Sequence, residues 1–208
     1  MNTEFPKKIA DNVTLFSPDP IVYVVDSFLT ETECDEFIRL AEGKMERATV
    51  ISPDKHIVHD SRTNTFCWLQ HDASELIHEI SKRFSILVQM PIRNAEQFQV
   101  VHYAPGTEYK AHFDAFDRLT DDGQKNWEPG GQRLITALVY LNDVLKGGAT
   151  YFPNLDISIS PKKGDVLVFH NCLQDSTTIH PMSLHGGASV ENGEKWAANL
   201  WFREDLRY

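Results

Sequence analysis

His112 and Asp114 stand one residue apart at the end of Y-A-P-G-T-E-Y-K-A-H-F-D, residues 103–114. On an extended strand, residues two apart leave the same face, so the imidazole and the carboxylate can share one ion. Two donors do not complete a metal site. A third can come from His185, 71 positions after Asp114 (185 − 114); on spacing alone, His170 at the end of an apolar run and His180 remain open as alternatives. Two neutral imidazoles and one carboxylate on one face suit a ferrous ion and leave its other positions open. Lys195 follows ten residues after His185, in G-E-K-W, where a lysine by itself reads as a solvated turn residue.

The elements around these residues change character along the chain. Residues 21–25 (I-V-Y-V-V) read as a strand leading into a helix, in which Thr30 and Glu33 form a capping-box pattern and Gly43 marks the stop. Strands are expected near 47–51 and 63–69, separated by a long polar surface loop, 52–62. Ile77, Ile80, Phe84 and Leu87 carry helical spacing through 72–88. After Pro91 the chain is rich in strands: 97–103, 134–141, 149–152, 157–159, 166–170 and 195–202, punctuated by Gly and Pro turns. The irregular stretch 117–131 follows the His112–Asp114 pair and is expected to be mobile and close to it. This rhythm predicts an α+β chain, mainly β: an antiparallel sandwich or jelly roll with two helices covering one face of a sheet.

Composition narrows the classes. The 208 residues fit one domain, and 41% hydrophobic with 24% charged residues excludes disorder. A net charge of −10 argues against a nucleic-acid partner, because phosphate binding needs clustered Lys and Arg. Cys34, Cys67 and Cys172 are widely spaced and form no C-x-x-C pair, so they read as small buried hydrophobes. No apolar run approaches a membrane span and no signal-peptide pattern opens the chain, from which a cytoplasmic setting without membrane contact is expected.

Y-x-x-G-x-x-Y-x-x-H-F-D, G-G-Q-R-L-I-T-A-L-V-Y-L-N-D-V, G-G-A-T-Y-F-P, P-K-K-G-D-V-L-V-F, S-L-H-G-G and G-E-K-W-A-A-N-L-W, read together, closely resemble the 2-oxoglutarate- and Fe(II)-dependent prolyl 4-hydroxylases. The resemblance is strong over 97–203 and looser before that, through the strand–helix arrangement and S-R-T-N-T. It implies a double-stranded β-helix (jelly-roll or cupin-like) core over 95–203, helical support over 30–90, an N-terminal extension 1–20, and a single catalytic domain 21–208. It also implies His112, Asp114 and His185 as iron ligands, with S-L-H-G-G before G-E-K-W selecting His185 over its rivals. Lys195, Tyr103, Tyr140 and Thr150 match positions around the co-substrate, where hydroxyls beside an ammonium suit a buried carboxylate. Tyr109, Arg133 and Trp201 match positions that contact the substrate peptide or its proline, and aromatic surfaces suit extended proline-rich chains.

The activity so implied is 4-hydroxylation of a prolyl ring in a peptide or protein by Fe(II), O2 and 2-oxoglutarate, releasing succinate and CO2, with ascorbate as accessory reductant. Collagen-like Pro-Gly repeats and proline-rich peptides are the leading substrates of such enzymes. The chain looks like the compact bacterial or viral forms, acting as monomer or homodimer. Its rivals are a hydroxylase of free proline, another amino acid or a small metabolite, a nucleic-acid demethylase of the same fold, a cupin-like protein binding zinc or manganese, and a catalytically silent peptide-binding module.

Overall fold

Burial on both faces decides the architecture. Along the central strands successive side chains enter two different cores: Ala137, Val139, Val166, Val168, Ala198, Leu200 and Phe202 face one side, while Leu138, Tyr140, Leu167, Phe169 and Ala197 face the other. Such strands must lie mid-sheet with a layer on either side. The structure is a computed structural model that describes residues 5–47, 50–52, 55–57, 63–174 and 176–207.

In chain order the strands are β1 (Lys7–Ala10), β2 (Val13–Pro18), β3 (Ile21–Val25), β4 (Glu46–Arg47), β5 (Val50–Ser52), β6 (Lys55–Ile57), β7 (Thr65–Leu69), β8 (Phe98–Tyr103), β9 (Tyr109–His112), β10 (Arg133–Tyr140), β11 (Lys146–Gly147), β12 (Thr150–Phe152), β13 (Ile157–Ile159), β14 (Val166–His170), β15 (His185–Gly187), β16 (Val190–Asn192) and β17 (Lys195–Arg203). The helices are α1 (Glu31–Ala41), α2 (Glu75–Val88) and α3 (Asp121–Trp127). A nine-stranded sheet runs β1-β2-β3-β14-β10-β17-β8-β7-β4, and a four-stranded sheet runs β13-β12-β15-β9. Every pairing between these strands is antiparallel. This is the expected jelly roll.

Helices α1 and α2 cover the outer face of the large sheet, where Cys34, Phe37, Ile77, Ile80 and Phe84 join the sheet residues Phe98, Val100 and Leu200 in one core. The capping box forms as the sequence requires, with Thr30 N–H on Glu33 Oε2 at 2.8 Å and Glu33 N–H on Thr30 Oγ1 at 3.3 Å. Glu33 also receives Arg83 of α2, which ties the two helices together. The inner face of the large sheet and the small sheet enclose a second core around Tyr140, Phe152, Leu167 and Phe169. The site candidates line a cavity within this second space.

Three segments differ from the sequence reading in detail. Residues 7–18, expected within an N-terminal extension, form β1 and β2 and hydrogen-bond onto β3 as strands of the large sheet. The stretch 117–131, expected to be irregular, contains α3, begun by Thr120, whose hydroxyl accepts the Gly123 N–H at 3.0 Å. Gly123 is required there, since a Cβ would lie 1.8 Å from the Asp117 carbonyl oxygen. Of the expected loop 52–62, the backbones of 50–52 and 55–57 pair as a short hairpin, and the rest lies outside the described residues. Cys34, Cys67 and Cys172 are free and buried, as expected.

Candidate active site

β9 and β15 pair so that His112 is directly opposite His185, with ring centroids 4.6 Å apart. Asp114 lies just past the end of β9, where the i, i+2 relation returns its carboxylate to the same side. Oδ1 is 3.5 Å from His112 Nε2 and Oδ2 is 3.5 Å from His185 Nε2. One donor atom from each residue falls within 4.8 Å of the others, and among the described residues this is the one such trio. His180 is removed from contention because both its nitrogens are engaged, with Met182 N–H and with Asp19. His170 is likewise outside the trio.

The trio's electrostatics favour a cation. His112 Nδ1 faces the Lys110 carbonyl at 2.9 Å, and His185 Nδ1 faces the Ser183 carbonyl at 3.0 Å. A carbonyl only accepts, so each neutral ring carries its proton on Nδ1 and turns the Nε2 lone pair toward the shared point. Burial pushes His185 down to about 4, against the pull of Asp114, so the ring is neutral at pH 7. Burial also works against charge on Asp114, but His185, His112 and Arg133 outweigh it and hold this carboxyl below its usual range. Two neutral imidazole nitrogens and an ionised carboxylate are the donor set of a ferrous site, and the residues present fit that ion.

A cavity of about 520 Å³ runs from this trio into the roll. Period two along β17 lines it with Lys195, Ala197, Asn199 and Trp201. Lys195 is 3% exposed, its Nζ donates to the Gly148 carbonyl at 2.8 Å, and the rings of Tyr103 and Tyr140 stand 5.3 and 5.4 Å from it. Among the described residues no carboxylate pairs with it, and burial lowers its pKa to about 7. Tyr103 and Thr150 line the cavity beside the lysine. Tyr140 stands behind the wall: its hydroxyl donates to Thr150 Oγ1 at 2.9 Å, which leaves the Thr150 proton free to point inward. A buried cation with hydroxyl donors around it is a cradle for a carboxylate.

The other end of the cavity is aromatic. Tyr109 stacks on His112 with centroids 3.7 Å apart and an interplanar angle of 20°. Arg133 lies over Trp201, its guanidinium 3.7 Å from the ring centroid, and is clamped by Glu96 through Nε at 2.7 Å and Nη2 at 2.8 Å. Trp201 Nε1 is buried and has no hydrogen-bond partner among the described residues. Every residue that the resemblance implies for the site is therefore brought to one cavity or its wall.

Further residues were not singled out. Glu96 also receives Arg203 Nη1 at 2.9 Å, and Arg203 Nη2 reaches the Asn126 carbonyl at 2.6 Å near the end of α3. α3 is thereby linked to the clamp on Arg133. Gln132 uses both ends of its amide on Phe116 and adds Thr177, pinning the segment after Asp114. Nothing in A-E-Q around Glu96 announces such a role, and Gln132 lies within the same G-G-Q-R run as Arg133 with no signal of its own.

Known proteins agree with this geometry. The family model for the 2OG-Fe(II) oxygenase superfamily matches residues 98–203. A candidate prolyl 4-hydroxylase of Acanthamoeba polyphaga mimivirus is 38% identical over 186 residues, covering 88% of this chain and 74% of that one. Prolyl 4-hydroxylase 5 of Arabidopsis thaliana is 36% identical over 211 residues, covering 91% and 70%. Among solved structures, the viral collagen prolyl hydroxylase of Paramecium bursaria chlorella virus-1, in its 2OG complex, superimposes with a TM-score of 0.70 at 31% identity, covering 88% of this chain and 95% of that one. With the His112–Asp114–His185 trio and the lone Lys195 in one cavity, these matches establish that the chain belongs to the prolyl 4-hydroxylase family of 2OG-Fe(II) oxygenases.

Proposed function

We propose that this protein hydroxylates proline at C4 within a peptide or protein, using Fe(II), O2 and 2-oxoglutarate and releasing succinate and CO2. The observation that carries this reading is Lys195, a buried ammonium without a carboxylate partner among the described residues, in the cavity that also holds the His112–Asp114–His185 trio. When bound, iron and the keto acid supply the oxygen-dependent redox chemistry, and the protein supplies orientation.

Each part of the cavity then has a task. His112, Asp114 and His185 offer three donors from one side, which leaves the opposite side to the co-substrates. Lys195 receives the far carboxylate of 2-oxoglutarate, with Tyr103 and Thr150 as hydroxyl donors and Tyr140 fixing the orientation of Thr150. Tyr109, Arg133 and Trp201 form the substrate end, where flat aromatic and guanidinium surfaces suit a prolyl ring in an extended chain. Glu96 keeps Arg133 in place by a bidentate pair.

The viral structural neighbour named a collagen prolyl hydroxylase directs attention to collagen-like Pro-Gly repeats, beside proline-rich peptides, as substrates. Among the described residues no helix is long and apolar enough to cross a membrane. The test is incubation with Fe(II), ascorbate, 2-oxoglutarate and a panel of Pro-Gly repeats, proline-rich peptides and free proline. Succinate formation and a ~16 Da gain on peptide, the mass of one oxygen atom delivered by an iron oxygenase, are expected. Conversion of free proline alone would reject the peptide reading.

A further inference from the structure

Behind the Asp114 carboxylate lies a buried relay of two side chains. Thr136 Oγ1 is 2.7 Å from Asp114 Oδ2, and Asn171 Nδ2 is 2.9 Å from Thr136 Oγ1. The sense of both bonds is forced: an ionised carboxylate only accepts, so the single hydroxyl proton of Thr136 goes to Asp114, and the Asn171 atom facing Thr136 must be the NH2 donor. Thr136 is 1% exposed and Asn171 0%.

Both residues are held rigidly. Thr136 sits mid-sheet on β10, paired with Phe169 on one side and Trp201 on the other. Asn171 follows β14, where its N–H donates to the Leu134 carbonyl at 2.8 Å and its carbonyl accepts from His180 N–H at 2.9 Å and Ser183 Oγ at 3.2 Å. The amide oxygen of Asn171 is buried with no partner among the described residues. An orphan acceptor is unfavourable, and an apolar side chain would avoid it. What an apolar side chain would not supply is the Nδ2 proton that turns the Thr136 hydroxyl toward Asp114.

We propose that Thr136, oriented by Asn171, is the positioning residue that makes Asp114 a one-oxygen metal ligand. Both carboxylate oxygens border the trio, Oδ1 at 3.5 Å from His112 Nε2 and Oδ2 at 3.5 Å from His185 Nε2, and the Thr136 hydroxyl engages Oδ2 alone, which makes Oδ1 the stronger donor to the ion. A carboxylate free to turn could bind through both oxygens and take up a position that the co-substrates need. This rests on the reading of the trio as the iron site, and the two can be tested apart.

The experiment uses metal-free full-length protein titrated with Co(II), reading affinity and the visible d–d absorption without any turnover. Thr136→Val is expected to bind Co(II) about 10- to 100-fold more weakly, with an altered band shape, as loss of a ligand-orienting partner does at other metal sites. Thr136→Ser, which keeps the hydroxyl, is expected to restore wild-type affinity and spectrum, and Asn171→Leu to fall between. His185→Ala should abolish the signal. Wild-type affinity and spectrum in Thr136→Val, with His185→Ala dead, would overturn the relay alone. Co(II) binding insensitive to His185→Ala would overturn both the relay and the iron site. If Thr136→Val does not fold, Asn171→Leu decides, since wild-type behaviour there removes the orienting step.

Discussion

Lys195 and Tyr103 stand directly opposite each other on β17 and β8, and the lysine Nζ lies 5.3 Å from the tyrosine ring centroid. Tyr140 flanks the ammonium at 5.4 Å and Gly148 offers it one carbonyl. Ring faces and a single carbonyl do not offset the desolvation of a buried ammonium, and that imbalance is resolved when an anion arrives. Lys195→Met should therefore lose 2-oxoglutarate binding selectively. A hydrogen bond to a charged group contributes about 1.5–3 kcal/mol, which corresponds to a rise in Kd of roughly 10- to 150-fold. Calorimetric titration of the Mn(II)-loaded protein measures it, and unchanged 2-oxoglutarate affinity would remove the lysine from the site.

The same lysine sets a pH dependence. Its pKa is lowered by burial to about 7, whereas an unfolded lysine titrates near ~10.4. Below pH 7 both states hold the proton, so the burial penalty is fully present in the ligand-free protein. Between pH 7 and about 10.4 the unfolded chain binds more protons than the folded one, so stability rises with pH across that window. Compared with Lys195→Met, the wild-type thermal midpoint should climb between pH 7 and 9.5. Binding of 2-oxoglutarate restores the ammonium and so must take up a proton, weakening roughly tenfold per pH unit above 7. Titrations at pH 8.5 in two buffers of different ionisation enthalpy should report close to one proton taken up.

Which parts were legible in the sequence follows from how local their cause is. His112 and Asp114 are two residues apart on an extended segment, so their shared face is dictated by the pleat. The buried strands β10, β14 and β17 declared themselves as apolar runs, and α2 by its helical spacing. Strands β1 and β2 did not, because K-K-I-A and V-T-L-F-S-P are mostly exposed or half-buried at a sheet edge and carry little hydrophobic pattern. α3 is seven residues long with an internal glycine, too short for periodicity to show. Glu96, Thr136, Asn171 and Arg203 act through partners 22 to 107 residues distant, and a pairing of that kind leaves no trace in neighbouring residues.

Metal binding should stabilise the fold in proportion to its affinity. The three donors come from β9, the turn after it and β15, so an ion joins two strands of the small sheet. Unfolding scatters them over residues 112–185 and abolishes the site. At a free-metal concentration 100 times Kd, binding to the folded state alone adds about 2.7 kcal/mol. For a chain of this size that corresponds to a rise of roughly 5–10 °C in Tm. Differential scanning fluorimetry with Mn(II) after chelator treatment measures it, and His185→Ala should show no rise. An equal rise in that variant would place the ion elsewhere.

Glu96 allows the Arg133–Trp201 end of the cavity to be perturbed separately from the Lys195 end. Glu96 is shared by Arg133 and Arg203, whose side chains are 16% and 3% exposed, so its removal strands two cations in a largely buried setting. Breaking a buried pair by deleting one partner costs about 3–5 kcal/mol, and Glu96→Ala should lose stability of that order in denaturant titrations. Glu96→Gln keeps the shape and one oxygen that can accept from Arg133 Nε and Arg203 Nη1, but it removes the charge and sets an NH2 donor against Arg133 Nη2, so it should lose less than Ala while loosening Arg133. Because Arg133 depends on Glu96 for its place over Trp201, the Gln variant should also raise the peptide KM. Lys195 lies six residues from Trp201 along β17, at the opposite end of the cavity, so the 2-oxoglutarate Kd should stay at its wild-type value. A parallel loss of both affinities would mean that Glu96 supports the whole cavity and does not act through Arg133.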